Sequence, residues 1–227
     1  MNIFNSKILV CVLFFSQNLV FSQKINQFDK EGRRTGVWKK NYKNGHIRYR
    51  GQFEKGKEVG VFKFYSIQSS KYPNIVKEFS KTNDTAKVNF YSLNGTLKSK
   101  GKMFRKDRIG EWLYYFPNGD IMSKESYENG KLEGFVKNFY ANGKLTEVTQ
   151  YKEGKKNGVS KVYSENGTIL EIVNYKKGKL NGEGKYYDLK GALKEKGLYR
   201  NGKRYGKWEF YINGKLSKKK REKLADL

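Results

Sequence analysis

With 227 residues, 48 Lys and Arg against 22 Asp and Glu, one Cys and one His, the chain is long enough for a sizeable core but poor in catalytic side chains. A disulfide framework and a structural zinc site are both excluded for want of Cys and His, and 15 Phe, 17 Tyr and 3 Trp are too many aromatics for a disordered chain. The formal charge of +26 makes an anionic partner the class to look for.

At the N-terminus, Lys7 precedes an apolar run from Ile8 to Phe15, and Leu19-Val20-Phe21-Ser22-Gln23 follows. A positive start, a short apolar stretch and small or aliphatic residues at Val20 and Ser22 predict a secretory signal peptide over residues 1–22, cut between Ser22 and Gln23. The run is too short to span a bilayer, and no later stretch is apolar enough for a transmembrane helix. Cys11 follows Val10, not the small residue a lipoprotein site would want, so it belongs to the leader. The expected location is therefore periplasmic, envelope-associated or secreted.

Residues 23–217 are dominated by a period of 24. Gly36, Gly60, Gly110, Gly134, Gly158, Gly182 and Gly206 fall on one ladder, with Ala86 in the vacant slot and a two-residue insertion around Pro73 before it. Asn44-Gly45, Asn94-Gly95, Asn118-Gly119, Asn142-Gly143 and Asn166-Gly167 form a second ladder, continued by Lys190-Gly191 and, one residue early, Asn213-Gly214. Joints such as Gly56-Lys57, Gly130-Lys131, Gly154-Lys155 and Gly178-Lys179 form a third. Between them apolar residues alternate, as in Ile47-Tyr49-Gly51-Phe53 or Ile169-Glu171-Val173-Tyr175, which is strand periodicity. Each unit reads as one hairpin closed by Asn-Gly, whose positive φ angles suit a tight turn, and each joint as the turn into the next. The predicted fold is all-β: an elongated single-layer antiparallel meander of about eight 24-residue hairpins, an open twisted ribbon of about sixteen strands. At ~4.8 Å per strand it would extend roughly 75 Å. Residues 218–227 are a basic tail whose charge would blunt the last edge.

The unit Gly-Lys-x-x-Gly-x-Trp-x-x-Tyr-x-x-Asn-Gly-x-Leu, clearest over Gly130 to Leu145 and Gly202 to Leu216, resembles the MORN-variant repeat. Arrays of this kind make up bacterial proteins similar to the YwqK-type antitoxin family. That resemblance implies a protein that sequesters a toxin.

Chemistry finds few candidates. His46 follows Gly45 in a turn, with no second histidine and no nucleophile motif to serve. Glu147, Glu171 and Glu195 would sit ~9.6 Å apart along the sheet, near the upper separation used by inverting glycosidases. Equivalent repeat positions should share one environment, whereas a catalytic pair needs two, so ion pairing with lysine is the preferred reading and a glycan-active enzyme the remote one. No catalytic residue, metal site or cofactor is assigned.

Binding is the better prospect. Trp38, Trp112 and Trp208 are expected to hold the sheet together. Tyr65, Tyr115, Tyr140, Tyr163, Tyr187 and Tyr211, with Lys137, Lys161 and Lys185, form the expected exposed stripe on the face opposite Trp112. Such a stripe suits a protein partner, an anionic glycan or a lipid headgroup surface. Nucleic acid fits the charge but not an exported location. The competing use of so much lysine is solubility of an open sheet. The expected function is thus a non-enzymatic exported binding scaffold, with an antitoxin or immunity-type role as the alternative.

Overall fold

A computed structural model describes residues 24–217. The expected leader, with its Ser22–Gln23 cut, and the basic tail over 218–227 lie outside the described residues. The strands are β1 (Gln27–Phe28), β2 (Arg34–Asn41), β3 (Ile47–Glu54), β4 (Lys57–Phe64), β5 (Ile75–Phe79), β6 (Thr85–Tyr91), β7 (Leu97–Phe104), β8 (Asp107–Tyr115) and β9 (Ile121–Glu128). There follow β10 (Lys131–Leu132), β11 (Gly134–Phe139), β12 (Leu145–Lys152), β13 (Lys155–Tyr163), β14 (Ile169–Lys176), β15 (Lys179–Leu180), β16 (Gly182–Tyr187), β17 (Leu193–Arg200), β18 (Lys203–Ile212) and β19 (Lys215–Leu216). All belong to one antiparallel meander of 19 strands, open at β1 and β19. The excess over sixteen has a simple origin. Strand β1 adds an edge to the first hairpin, and the strands that begin the fifth and seventh units are each split in two, at Glu133 and Asn181.

The splits mark a device the alternation did not reveal. In the pairing of β7 with β8, Lys100 faces Leu113 and Lys102 faces Ile109, so Gly101 alone stands opposite Gly110, Glu111 and Trp112. The same three-to-one bulge sets Gly51 against Gly60, Val61 and Phe62, and Gly197 against Gly206, Lys207 and Trp208. A bulge of this kind needs a positive φ at its first residue, which glycine adopts without a Cβ penalty; Gly110 has φ 63°. The third unit supplies the control. Where Ala86 replaces the glycine, β5 and β6 pair without a shift, Lys77 opposite Val88 and Phe79 opposite Ala86.

The turns are assigned the other way round from the expectation. Within units, Asn-Gly lies in a five-residue turn: Phe116 N–H donates to the Asp120 carbonyl, Gly119 N–H donates to the Phe116 carbonyl, and only the glycine is left-handed. Asn118 contributes its side chain instead, Oδ1 accepting the Asp120 N–H at 3.1 Å. The joints are the two-residue turns with paired positive φ, 48° at Asn129 and 77° at Gly130. Asn213-Gly214 comes one residue early because it is a turn of the joint type, with φ 50° and 73°.

One face is closed by its own side chains. Phe62, Val88 and Trp112 are 0% exposed. Rings interlock edge to face across strands, Trp38 with Phe53 at 5.7 Å, Phe53 with Phe62 at 5.2 Å and Phe62 with Phe79 at 5.6 Å. Gly51, Gly101 and Gly197 leave the space over which Phe62, Trp112 and Trp208 lie flat. The indole N–H of Trp112 reaches the Lys102 carbonyl at 3.0 Å, and that of Trp208 the Leu198 carbonyl at 3.3 Å. Arginines cap this layer, Arg108 at 4.5 Å from the Trp112 ring and Arg204 at 3.8 Å from that of Trp208.

Candidate binding face

Cross-strand register decides which side chains stand side by side. On the face opposite Trp112 it builds one continuous file across the sheet: Lys39, Arg50, Lys63, Val76, Asn89, Lys100, Leu113, Lys124, Lys137, Val148, Lys161, Ile172, Lys185, Lys196 and Glu209. Nine of these fifteen positions are Lys or Arg, and the sole acid closes the C-terminal end. Neighbours in the file are ~4.8 Å apart, so cations recur at that spacing or a small multiple of it. Lys137, Lys161 and Lys185, singled out from the sequence, all lie in it. Lys39, Arg50, Lys100, Lys124 and Lys196 were missed there, though the signal exists. The file consists of the third and fourteenth residues after each ladder position, with Val76 displaced by the two-residue insertion, and only the third was read, in some of the units.

Lys185 pairs with Glu183 at 2.8 Å and Lys196 with Glu209 at 3.2 Å, and in both cases the carboxylate raises the lysine pKa. The other seven cations have no carboxylate within 4.0 Å among the described residues. They form a line of charge held in place by the backbone ladder and not by acidic partners.

The six tyrosines expected to be exposed are half-buried. Tyr115 lies under Lys100, with the ammonium 5.6 Å from the ring centre, and Tyr211 under Lys196 at 5.9 Å. Phe139 lies in the same way beneath Lys124 at 6.0 Å. Tyr140 is one residue out of step with the others. It opens a turn, like Tyr42, and its hydroxyl donates to the Tyr163 carbonyl at 2.9 Å, as that of Tyr42 does to Tyr65. The aromatic row thus flanks and supports the file of cations.

The glutamate ladder faces the other way, on the Trp112 side. Register places Glu147, Val162, Glu171, Tyr186 and Glu195 in sequence across the sheet, so the carboxylates are two strands apart as expected. Their environments differ, contrary to expectation. Burial pushes Glu147 up, but hydrogen bonds from Thr149 at 2.6 Å and Lys156 at 3.2 Å outweigh it and hold the carboxyl below its ordinary value. Glu171 is pushed up, by burial and then by the charge of Glu147. Glu195 pairs with Arg204 at 3.0 Å. Repeat symmetry is broken because Thr149 and Lys156 donate to Glu147, while Glu171 has Val173 in place of the threonine.

Because the Glu171 carboxyl is held above its unfolded value, ionisation opposes folding: the penalty is absent below the ordinary glutamate range and sets in as pH rises through the folded pKa. Glu171→Gln should therefore raise the melting temperature at pH 7 and leave it unchanged at about pH 3.5. A melting temperature lowered at pH 7 would reveal a favourable partner for the carboxylate.

His46 Nδ1 lies 2.9 Å from the Ile67 carbonyl oxygen, so the histidine ties the first turn to the insertion loop. Among the described residues, no group of three or more His, Cys, Asp or Glu is placed to hold a metal ion, and no helix is long and apolar enough to cross a membrane.

Five segments of the chain, 34–55, 108–129, 132–153, 156–177 and 180–201, match the family described as MORN repeat variant. Each runs from two residues before a ladder glycine to the left-handed residue that opens the next joint. The span between the first two contains the insertion around Pro73 and the unshifted strand at Ala86. No curated protein matches the chain. The match is to the repeat and carries no mark of an antitoxin. The chain therefore carries MORN-variant repeats over these five segments, within one open antiparallel sheet.

Proposed function

We propose that the protein is a non-enzymatic, exported binding scaffold that takes an anionic macromolecular partner on the face opposite Trp112. The observation that carries this reading is the file of nine cations, seven of them without a carboxylate partner among the described residues. The repeat and its register bring these positions into line across the sheet, so their charges act together on one anionic partner. Export is supported by the Lys7 to Gln23 segment, and it directs the search towards the cell envelope.

Pull-down from an envelope fraction at low and high salt tests the proposal. Recovery of anionic envelope material that is lost at high salt is the expected result, since screening weakens exposed charge pairs. One stoichiometric protein retained at high salt would replace this reading with an immunity-type complex.

A further inference from the structure

The geometry points to a linear acidic polysaccharide, a uronate-type chain, as the partner that lies along the file and crosses the strands. This rests on the binding-scaffold reading and names its ligand class. Four features of the face select a polymer of this kind.

The charge is densest along the file and runs over many strands, with sparser cations such as Arg48, Lys98 and Lys102 beside it on the same face. Beside it run acids such as Glu78, 3.9 Å from Lys87, and Glu183, 2.8 Å from Lys185. A ligand that strays to that side meets carboxylates among the cations, whereas one that follows the file meets a cation every one to three strands and no acid before Glu209. A uronate chain carries one carboxylate per sugar along a flexible backbone, matching a single-file, repeated site.

Twist argues against a flat partner. Adjacent strands rotate by roughly 20–25°, so the file winds around the ribbon, and a planar bilayer would meet only a few of its cations at once. A flexible chain can follow the whole path. The aromatic row argues against single-stranded nucleic acid. Base stacking needs free ring faces beside the cations, but Tyr115, Phe139 and Tyr211 already lie beneath Lys100, Lys124 and Lys196. At these three positions the face presents ammonium groups in place of free rings.

Binding of the purified protein to a polygalacturonate oligomer, to oligothymidylate and to vesicles of phosphatidylglycerol with phosphatidylcholine tests the assignment. We expect the oligouronate to bind, with Kd rising about tenfold or more between 50 and 200 mM NaCl, as counterion release at several contacts requires. The triple variant Lys124→Glu, Lys137→Glu, Lys161→Glu should weaken binding by about tenfold per charge pair lost, and the corresponding Lys→Gln triple should weaken it without adding charge. Lys131→Glu, Lys155→Glu, Lys179→Glu changes the net charge equally but alters only joint residues, and should lose less than about threefold. Equal loss in both triples would overturn the inference by reducing it to net charge. File-dependent binding of the oligonucleotide or the vesicles, with none of the uronate, would overturn the ligand class while leaving the scaffold reading standing. No binding of any of the three would overturn both.

Discussion

Replacing Gly101 by valine is expected to destabilise the sheet by about 1–3 kcal/mol or more, the cost of forcing extra volume into a packed layer. On local grounds the opposite should follow. Gly101 lies in a strand without a positive φ, and valine is favoured there over glycine by up to ~1 kcal/mol. Tertiary packing reverses the sign, because a Cβ at this position would enter the space filled by the Trp112 ring. Two later units show the alternative solution: where Thr149 and Val173 stand at the equivalent place, Ser160 and Gly184 occupy the position that Trp112 holds in its unit. Gly101→Val combined with Trp112→Val should therefore recover part of the loss. Chemical denaturation of the single and double variants measures this coupling, and additive losses would contradict the packing rule.

Trp112→Ala should cost about 3–5 kcal/mol, the range for removing a fully buried large aromatic. Three losses coincide there. The cavity opens between Val88 and Tyr127, the Lys102 carbonyl loses the indole N–H, and Arg108 loses the ring beneath its guanidinium. Arg108 keeps its bonds to the Tyr114 and Tyr127 hydroxyls at 2.6 and 3.0 Å, which limits how far the layer opens. In a repeat array stability is close to a sum of neighbour terms, so the damage should be local. Amide hydrogen exchange should show protection lost over β6 to β9 and retained over β16 to β18. Uniform loss along the chain would mean that the array unfolds as one unit.

The reach of the sequence can be judged from particular residues. The 24-residue period, the strands and the buried row of Trp38, Phe62 and Trp112 were legible because alternation and position within the unit suffice for them. The bulge was not. Its glycine ladder was visible, but a positive φ inside a strand leaves no trace in the apolar pattern, and only the exception at Ala86 shows what the glycines do. Turn assignment failed for a related reason. Asn118-Gly119 and Asn129-Gly130 are the same dipeptide, and what separates them is the number of residues between paired strands, which register fixes.

Register also explains the site. Lys124 and Lys137 are 13 residues apart yet directly opposed across β9 and β11. Reading lysines by their distance from one glycine therefore found only part of the file. The tyrosines were placed by the same alternation, but Tyr115 and Tyr211 are covered by lysines from the neighbouring strand, Lys100 and Lys196, which alternation does not show. The divergence of Glu147 from Glu171 likewise comes from side chains that break the repeat, Thr149, whose equivalent is Val173, and Lys156.

Lysine acylation footprinting, read by mass spectrometry with and without saturating oligouronate, tests the central claim most directly. The account predicts protection at Lys63, Lys100, Lys124, Lys137 and Lys161, with Lys57, Lys131, Lys155, Lys179 and Lys203 at the joints labelled as in the free protein. Protection spread evenly over file and joints, or confined to the joints, would contradict it.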